Sequence, residues 1–389
     1  MMSKVRFGLI GLGNMGSSHI GKFLNGEIRE GEITAVCDID KSRLDAAVAR
    51  FDGKVSAFEK AEDLMASGEV DAILIATPHY LHPVYAIKGF EAGLHVLSEK
   101  PAGVYTKQVR EMNEAAAKSD RVFGLMFNQR TNPMYQKVKS LIDSGELGEI
   151  TRVNWIITNW YRTQSYYDSG TWRATWGGEG GGVLLNQDPH QLDLLQWLCG
   201  MPSKVTAFCA YGKFHDIEVE DDVTAYLEYP NGATGVFVTS TGDAPGTNRL
   251  EITGDRGKIV IENGKLEYIR NIESTKAHCA SCKDSFARPE HWDVKIPLGG
   301  GDGPQHVGIL NDFCSAILHG TPLLAPGEEG INGLTISNAI HLSSWLGKTV
   351  ELPLDEELFY QLLQEKIESS RFVKKEAAGE VVADMSNTF

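Results

Sequence analysis

The sequence predicts an α/β plus α+β fold in two parts. The N-terminal part is a doubly wound parallel sheet. The C-terminal part has a large, mostly antiparallel open sheet with helices on one face. The first part rests on short, nearly continuous apolar runs: VRFGLI (5–10), EITAVCD (32–38), DAILIAT (71–77), LHVLSE (94–99) and VFGLMF (122–127). They alternate with amphipathic segments such as YAIKGFEAG (85–93) and KQVREMNEAAAKS (107–119). Apolar runs of this kind suit strands buried on both faces, and parallel strands need helical crossovers between them. The second part rests on a change of rhythm near residue 149, where strand-like stretches follow one another across the turn signals PNG (230–232), GDRG (254–257) and ENG (262–264). Turns that short join antiparallel neighbours.

In order, EITRVNWIITNW, KVTAFCAYG, VTAYLEYPNGATGVFVTS and RLEITGDRGKIVIENGKLEYI read as strands, and 306–320, 330–347 and 355–370 as helices. This divides the chain into residues 1–127, residues 128–372 and a frayed tail, 373–389. The composition is that of a water-soluble globular chain, with 389 residues, 42% hydrophobic, 23% charged and a net charge of −15. Such a negative balance argues against nucleic acid or an anionic membrane as partner. No apolar run approaches the roughly 20 residues that span a bilayer, and the N-terminus has no signal-peptide cleavage region, so a cytoplasmic location is expected. The six cysteines are scattered, mostly in apolar stretches, as reduced small hydrophobes would be. HCASC (278–282) has no second pair at zinc spacing, so no metal is expected.

GLGNMG (11–16) follows the first strand and opens a helix. In this GxGxxG, Gly11 permits the tight turn, Gly13 lets the backbone approach a pyrophosphate, and Gly16 permits close helix–strand packing. With Asn14 and Met15 they put free N–H groups of a helix N-terminus against phosphates. Asp38 ends the second strand, where a carboxylate accepts from ribose hydroxyls and repels a 2′-phosphate, so NAD is expected over NADP. Asp38 could instead cap the next helix, a role Asp40 or Ser42 could also fill.

ATPHYLHP (76–83) and LSEKPAG (97–103) follow the fourth and fifth strands, at the carboxyl edge where such sheets bind ligands. Lys100, between Glu99 and Pro101, could hold a substrate hydroxyl and relay its proton, or form a structural pair with Glu99. Together GLGNMG, ATPHYLH, EKP, a glycine-rich stretch and a His-x-x-Asp helix resemble the glucose–fructose oxidoreductase / inositol dehydrogenase (Gfo/Idh/MocA) family over nearly the whole chain. The resemblance implies a Rossmann domain, a substrate domain whose open sheet often forms an oligomer interface (a dimer or tetramer), and hydride transfer between NAD(P) and a sugar or polyol hydroxyl carbon. It makes Lys100 the catalytic lysine and sets Thr77, Pro78, His79, His82 and Glu99 beside the cofactor.

The family's catalytic Asp is Asn186 here, so His190 is left as the expected base, with Asn186 orienting the substrate. Asp193 could share the His190 face or serve only neighbouring structure. Asp188-Pro189-His190-Gln191 reads as a cap and first helical turn, whereas the family pattern has helix before it and Pro189 as a kink. The aromatic stretch 159–182 offers Tyr161, Arg162, Trp172, Arg173 and Trp176 as sugar contacts, and Asn128 stands at the cofactor–substrate boundary. A glycosidase or lyase using transient sugar oxidation, and a non-catalytic dinucleotide-responsive protein, are the competing readings.

Overall fold

The computed structural model describes residues 4–374, and they build two sheets. The first contains β1 (Val5–Ile10), β2 (Gly31–Cys37), β3 (Ser56–Phe58), β4 (Ala72–Ile75), β5 (His95–Ser98) and β6 (Phe123–Leu125). Their order is β3-β2-β1-β4-β5-β6, with every pair parallel. Phe7, Leu9, Ile73, Leu74, Ile75, Val96 and Leu97 are fully buried, as strands covered on both faces require. The strand order reverses between β1 and β4, which opens a crevice at their carboxyl ends.

The second sheet contains β7 (Ile150–Ile157), β8 (Lys204–Tyr211), β9 (Glu220–Glu228), β10 (Thr234–Ser240), β11 (Asn248–Gly254), β12 (Gly257–Glu262), β13 (Lys265–Asn271), β14 (His291–Val294) and β15 (Val350–Glu351). The order is β14-β13-β12-β11-β7-β10-β9-β8-β15. All neighbours are antiparallel except β7 and β10, which pair parallel with Val236 opposite Asn154. Alternation assigns the faces. Val153, Trp155, Val205, Ala207, Val223, Ala225, Phe237, Leu250 and Ile252 are buried beneath helices, while Ile156, Phe208 and Tyr226 are exposed on the opposite face.

The helices Gln305–His319, Gly330–Leu346 and Glu356–Ser369 match the expected ones to within a residue at each end. The first returns to the N-terminal sheet. Its Phe313 ring lies 6.0 Å from Phe7, and Asn311 accepts the Arg29 N–H at 2.9 Å. Residues 305–319 thus complete a layer of the N-terminal half. Of the expected tail, residues 375–389 lie outside the described residues.

Candidate active site

The glycine turn is built for backbone approach. Gly11 has φ +93°, and a Cβ there would lie 2.6 Å from the Ala76 carbonyl oxygen. A Cβ on Gly16 would lie 2.0 Å from the Gly11 oxygen, so the helix Asn14–Leu24 can sit tight on β1 only with glycine there. Gly13 faces open space: a Cβ there would meet only Arg43 within 4 Å among the described residues, at 3.9 Å. The first turn of that helix, holding Asn14, Met15 and Gly16, has no acidic residue and no side-chain cap, which leaves its N–H groups for an anion.

Asp38 does not cap the next helix. Asp40 does, accepting from Ser42 N at 2.9 Å. The Asp38 oxygens accept instead from Leu12 N (2.7 Å) and Asp40 N (2.8 Å), which fixes the carboxylate at the rim of the glycine turn. Asp38→Ser should therefore weaken NAD binding by one to two orders of magnitude, the worth of a charge-assisted bond of about 1.5–3 kcal/mol, with little loss for NADP. Titrating protein fluorescence with each nucleotide tests this. Equal losses for both would show that Asp38 only braces the turn.

At the exits of β4 and β5 several polar groups converge. The Thr77 hydroxyl and the Asn128 side-chain oxygen Oδ1 are buried without a hydrogen-bond partner among the described residues. Such atoms at a sheet's carboxyl edge fit a bound ligand better than a finished core. Asn128 also donates to Gln305 at 2.5 Å. Pro78 continues the loop to His79, whose Nδ1 lies 3.3 Å from the Glu179 carbonyl and whose ring meets the Trp172 edge at 5.5 Å. Burial holds His79 well below its ordinary pKa.

His82 is a brace. Its ring nitrogens face the carbonyls of Thr77 (2.7 Å) and Pro101 (2.8 Å), tying together the loops after β4 and β5. Glu99 is equally engaged, with Oε1 on His19 Nε2 at 2.7 Å. Burial works against the Glu99 carboxylate, but the His19 bond and nearby positive charges hold its pKa down at about 2.

Lys100 therefore does not pair with Glu99 through its ammonium. Its Nζ donates to the Asn186 carbonyl at 2.7 Å, and burial lowers its pKa. Asn186 ends a short helix, Val183–Asn186, and a second helix, Pro189–Cys199, begins at the proline. Both helical readings of the motif are thus partly met: helix precedes Pro189, but as a separate turn. His190 sits in the first turn of the second helix, buried, and burial with the Lys100 charge holds its pKa well below the ordinary value. The ring is neutral at physiological pH, the form a base needs.

Asp188 occupies the cap position without capping. Burial pushes its carboxyl up to about 8, with Thr239, Trp160, Glu220 and Lys100 around it. Asp193 grips Arg130 through two bonds of 2.8 and 2.6 Å.

The aromatic stretch divides. Arg173 lies 4.6 Å over Tyr166 and 4.7 Å over Trp172, and its Nη1 donates to the Tyr166 hydroxyl at 2.9 Å. Arg162 covers Tyr166 at 5.2 Å. Tyr166 donates to Asn186 Oδ1 at 3.1 Å, so this group adjoins Lys100. Tyr161 is 49% exposed. Trp176 lies elsewhere, buried against Tyr211, His341 and Trp345. Tyr166 and Glu179 were not singled out in the sequence. The available signal was a single acid inside the glycine cluster GGEGGG, directly before a buried helix.

Comparison with known proteins agrees with the two-sheet fold. Residues 5–127 match the family described as "Oxidoreductase family, NAD-binding Rossmann fold", and residues 135–260 match the GFO/IDH/MocA C-terminal domain. An inositol 2-dehydrogenase of Rhizobium meliloti is 24% identical over 86% of this chain and 95% of its own length. The levoglucosan dehydrogenase of Pseudarthrobacter phenanthrenivorans is 25% identical over 80% of this chain and 87% of its own. Among solved structures, the WlbA dehydrogenase of Bordetella pertussis, in complex with NADH and UDP-GlcNAcA, superposes with a TM-score of 0.77 at 28% identity. That match covers 90% of this chain and all (100%) of the neighbour.

Proposed function

The chain belongs to the GFO/IDH/MocA oxidoreductase family, and from that premise we propose that Lys100 and His190 handle the proton while a hydride passes between NAD and a hydroxyl carbon of a sugar, sugar derivative or cyclic polyol. NAD, when bound, supplies the hydride acceptor. The observation that carries the reading is the placement of Lys100. It is a half-buried amine of lowered pKa at the exit of β5, anchored on Asn186 and electrostatically coupled to the neutral His190.

As the C–H bond is broken, the O–H proton needs a neutral acceptor close by. The Lys100 amine and the His190 imidazole are both suited to be that acceptor. The glycine turn, Asp38, Thr77 and Asn128 are the groups that would hold the nucleotide. Arg162, Tyr166, Trp172 and Arg173 would form the sugar wall, with ring faces against C–H groups and guanidinium N–H on hydroxyls. The proposed division places residues 1–127 on the cofactor and 128–372 on the substrate, with Asn128 at the boundary and the helix 305–319 packed on the N-terminal sheet.

We propose further that the enzyme is a cytoplasmic homo-oligomer. Phe208, Tyr226 and Ile156, respectively 75%, 43% and 38% exposed on the open sheet face, support self-association there.

The test is nicotinamide reduction with NAD⁺ or NADP⁺ across inositols, hexoses, anhydrosugars and glycosides, with His190→Ala beside the wild type. NADH formation with one class, reduced about 10²–10³-fold in the variant, is the expected result. Substrate consumption that requires NAD without net NADH would replace this reading with transient sugar oxidation.

A further inference from the structure

Glu179 is 1% exposed and both its oxygens are occupied. Oε2 accepts from Ala174 N at 2.6 Å, Oε1 accepts from the Asn186 side-chain amide, and Arg173 Nη1 stands 3.7 Å from Oε1. With an N–H donor on each oxygen, the geometry suits the carboxylate, because an acid O–H would point at one of those donors. Burial raises the Glu179 pKa, while Arg173 and the two N–H groups pull it down.

The bond to Glu179 orients the Asn186 amide. Its Nδ2 faces the carboxylate, so Oδ1 must face Tyr166 (3.1 Å) and Gln187 (3.4 Å). The main-chain carbonyl of the same residue holds Lys100 Nζ at 2.7 Å. Burial lowers the Lys100 pKa; Glu99 and, after it, Glu179 favour the charged ammonium, against Arg173 and Arg162. One buried carboxylate thus reaches Lys100 by two routes, through Asn186 and through space.

We propose that Glu179 is a positioning residue of this site: it orients Asn186, through it anchors Lys100, and adds a buried negative charge beside that of Glu99 to the surroundings of the Lys100 ammonium. This rests on the reading of Lys100 as the proton carrier. The uncharged Asn186 then works because its partner bears the charge one hydrogen bond away.

Two variants test it. Glu179→Gln removes the charge. Glu179→Gln/Asn186→Asp returns a carboxylate to the pair, with donor and acceptor exchanged. The primary readout is acylation of Lys100 by acetic anhydride as a function of pH, followed by peptide mass; it needs neither substrate nor turnover.

Loss of a nearby negative charge lowers a lysine pKa, so the half-labelling pH should fall measurably in Glu179→Gln while Glu99 keeps its own contribution. It should return toward the wild-type value in the double variant. With a turned-over substrate, kcat should fall in the single variant while KM for NAD stays constant. A Glu179→Gln curve that overlays the wild type, or a double variant that leaves the shift in place, overturns the proposal. Should Glu179→Gln fail to fold, the double variant decides: a wild-type labelling curve supports the proposal and a shifted one overturns it. If the wild type reduces no NAD with any substrate but the curves move as expected, the reading of the reaction fails and the positioning role stands.

Discussion

Lys100→Met should lower kcat/KM by about 10³–10⁴ while NADH binding is retained. The upper part of the range for a positioned acid–base group applies because the same side chain would hold the substrate oxygen and, as the neutral amine, take its proton. Methionine keeps the reach and removes the charge. The lost bond to Asn186 is offset by relief of a desolvated cation, so the melting temperature should change little. Lys100→Arg should be nearly as inactive, since a guanidinium stays protonated and cannot accept the proton.

The wild-type pH profile carries a matching signature. Burial lowers the Lys100 pKa from its ordinary 10.5, so the free amine becomes available at lower pH than for an exposed lysine. The rate should rise with pH and level off below 10.5, and that limb should be missing from the residual activity of Lys100→Met. Fluorescence titration with NADH and initial rates across pH provide the check. A variant that turns over normally would return Lys100 to a structural role.

Much of the fold was legible because burial on both faces writes itself into sequence as unbroken apolar runs. Five strands of the first sheet are such runs, and β3 was missed because Ser56–Phe58 has three residues and one aromatic. β14 and β15, with four and two residues, escaped for the same reason. The turn signals gave the hairpins but not the parallel β7–β10 pair, because turns specify only neighbours in sequence.

In the site, Lys100 meets Asn186 and His190 from a separate motif, since Lys100 is tied to a strand exit and the other two to the end of one short helix and the start of the next. The aromatic stretch was legible only as a group. Ring-rich sequence has no direction, and Trp172 faces His79 while Trp176 enters the core. Glu179 gave little signal because a lone acid among glycines has no periodicity. Asp193 shows the limit of helical spacing: three residues from His190, it is claimed by Arg130, 63 positions away.

That pair sets the other large expectation. Arg130→Met should destabilise the protein by about 3–5 kcal/mol, read as a lower denaturant midpoint. Arg130 is 1% exposed and makes four bonds: two to Asp193, one to Glu329 at 2.6 Å and one to the Leu324 carbonyl at 3.1 Å. Its guanidinium also lies 5.4 Å over both Phe127 and Trp197. The 3₁₀ turn after β6 is thereby stapled to the helix that carries His190.

Without Arg130, Asp193 stays buried with only Gln196, at 3.0 Å, of its side-chain partners. Burial already raises the Asp193 pKa, and without the Arg130 charge it would rise further above the unfolded value, so the deficit should be largest at neutral and alkaline pH and shrink as acid protonates the carboxyl. Arg130→Met/Asp193→Leu should recover most of the loss, because the cost lies in an uncompensated charge more than in the missing attraction. A pH-independent deficit that the double variant does not relieve would mean that the packing of the guanidinium between Phe127 and Trp197 matters more than its charge.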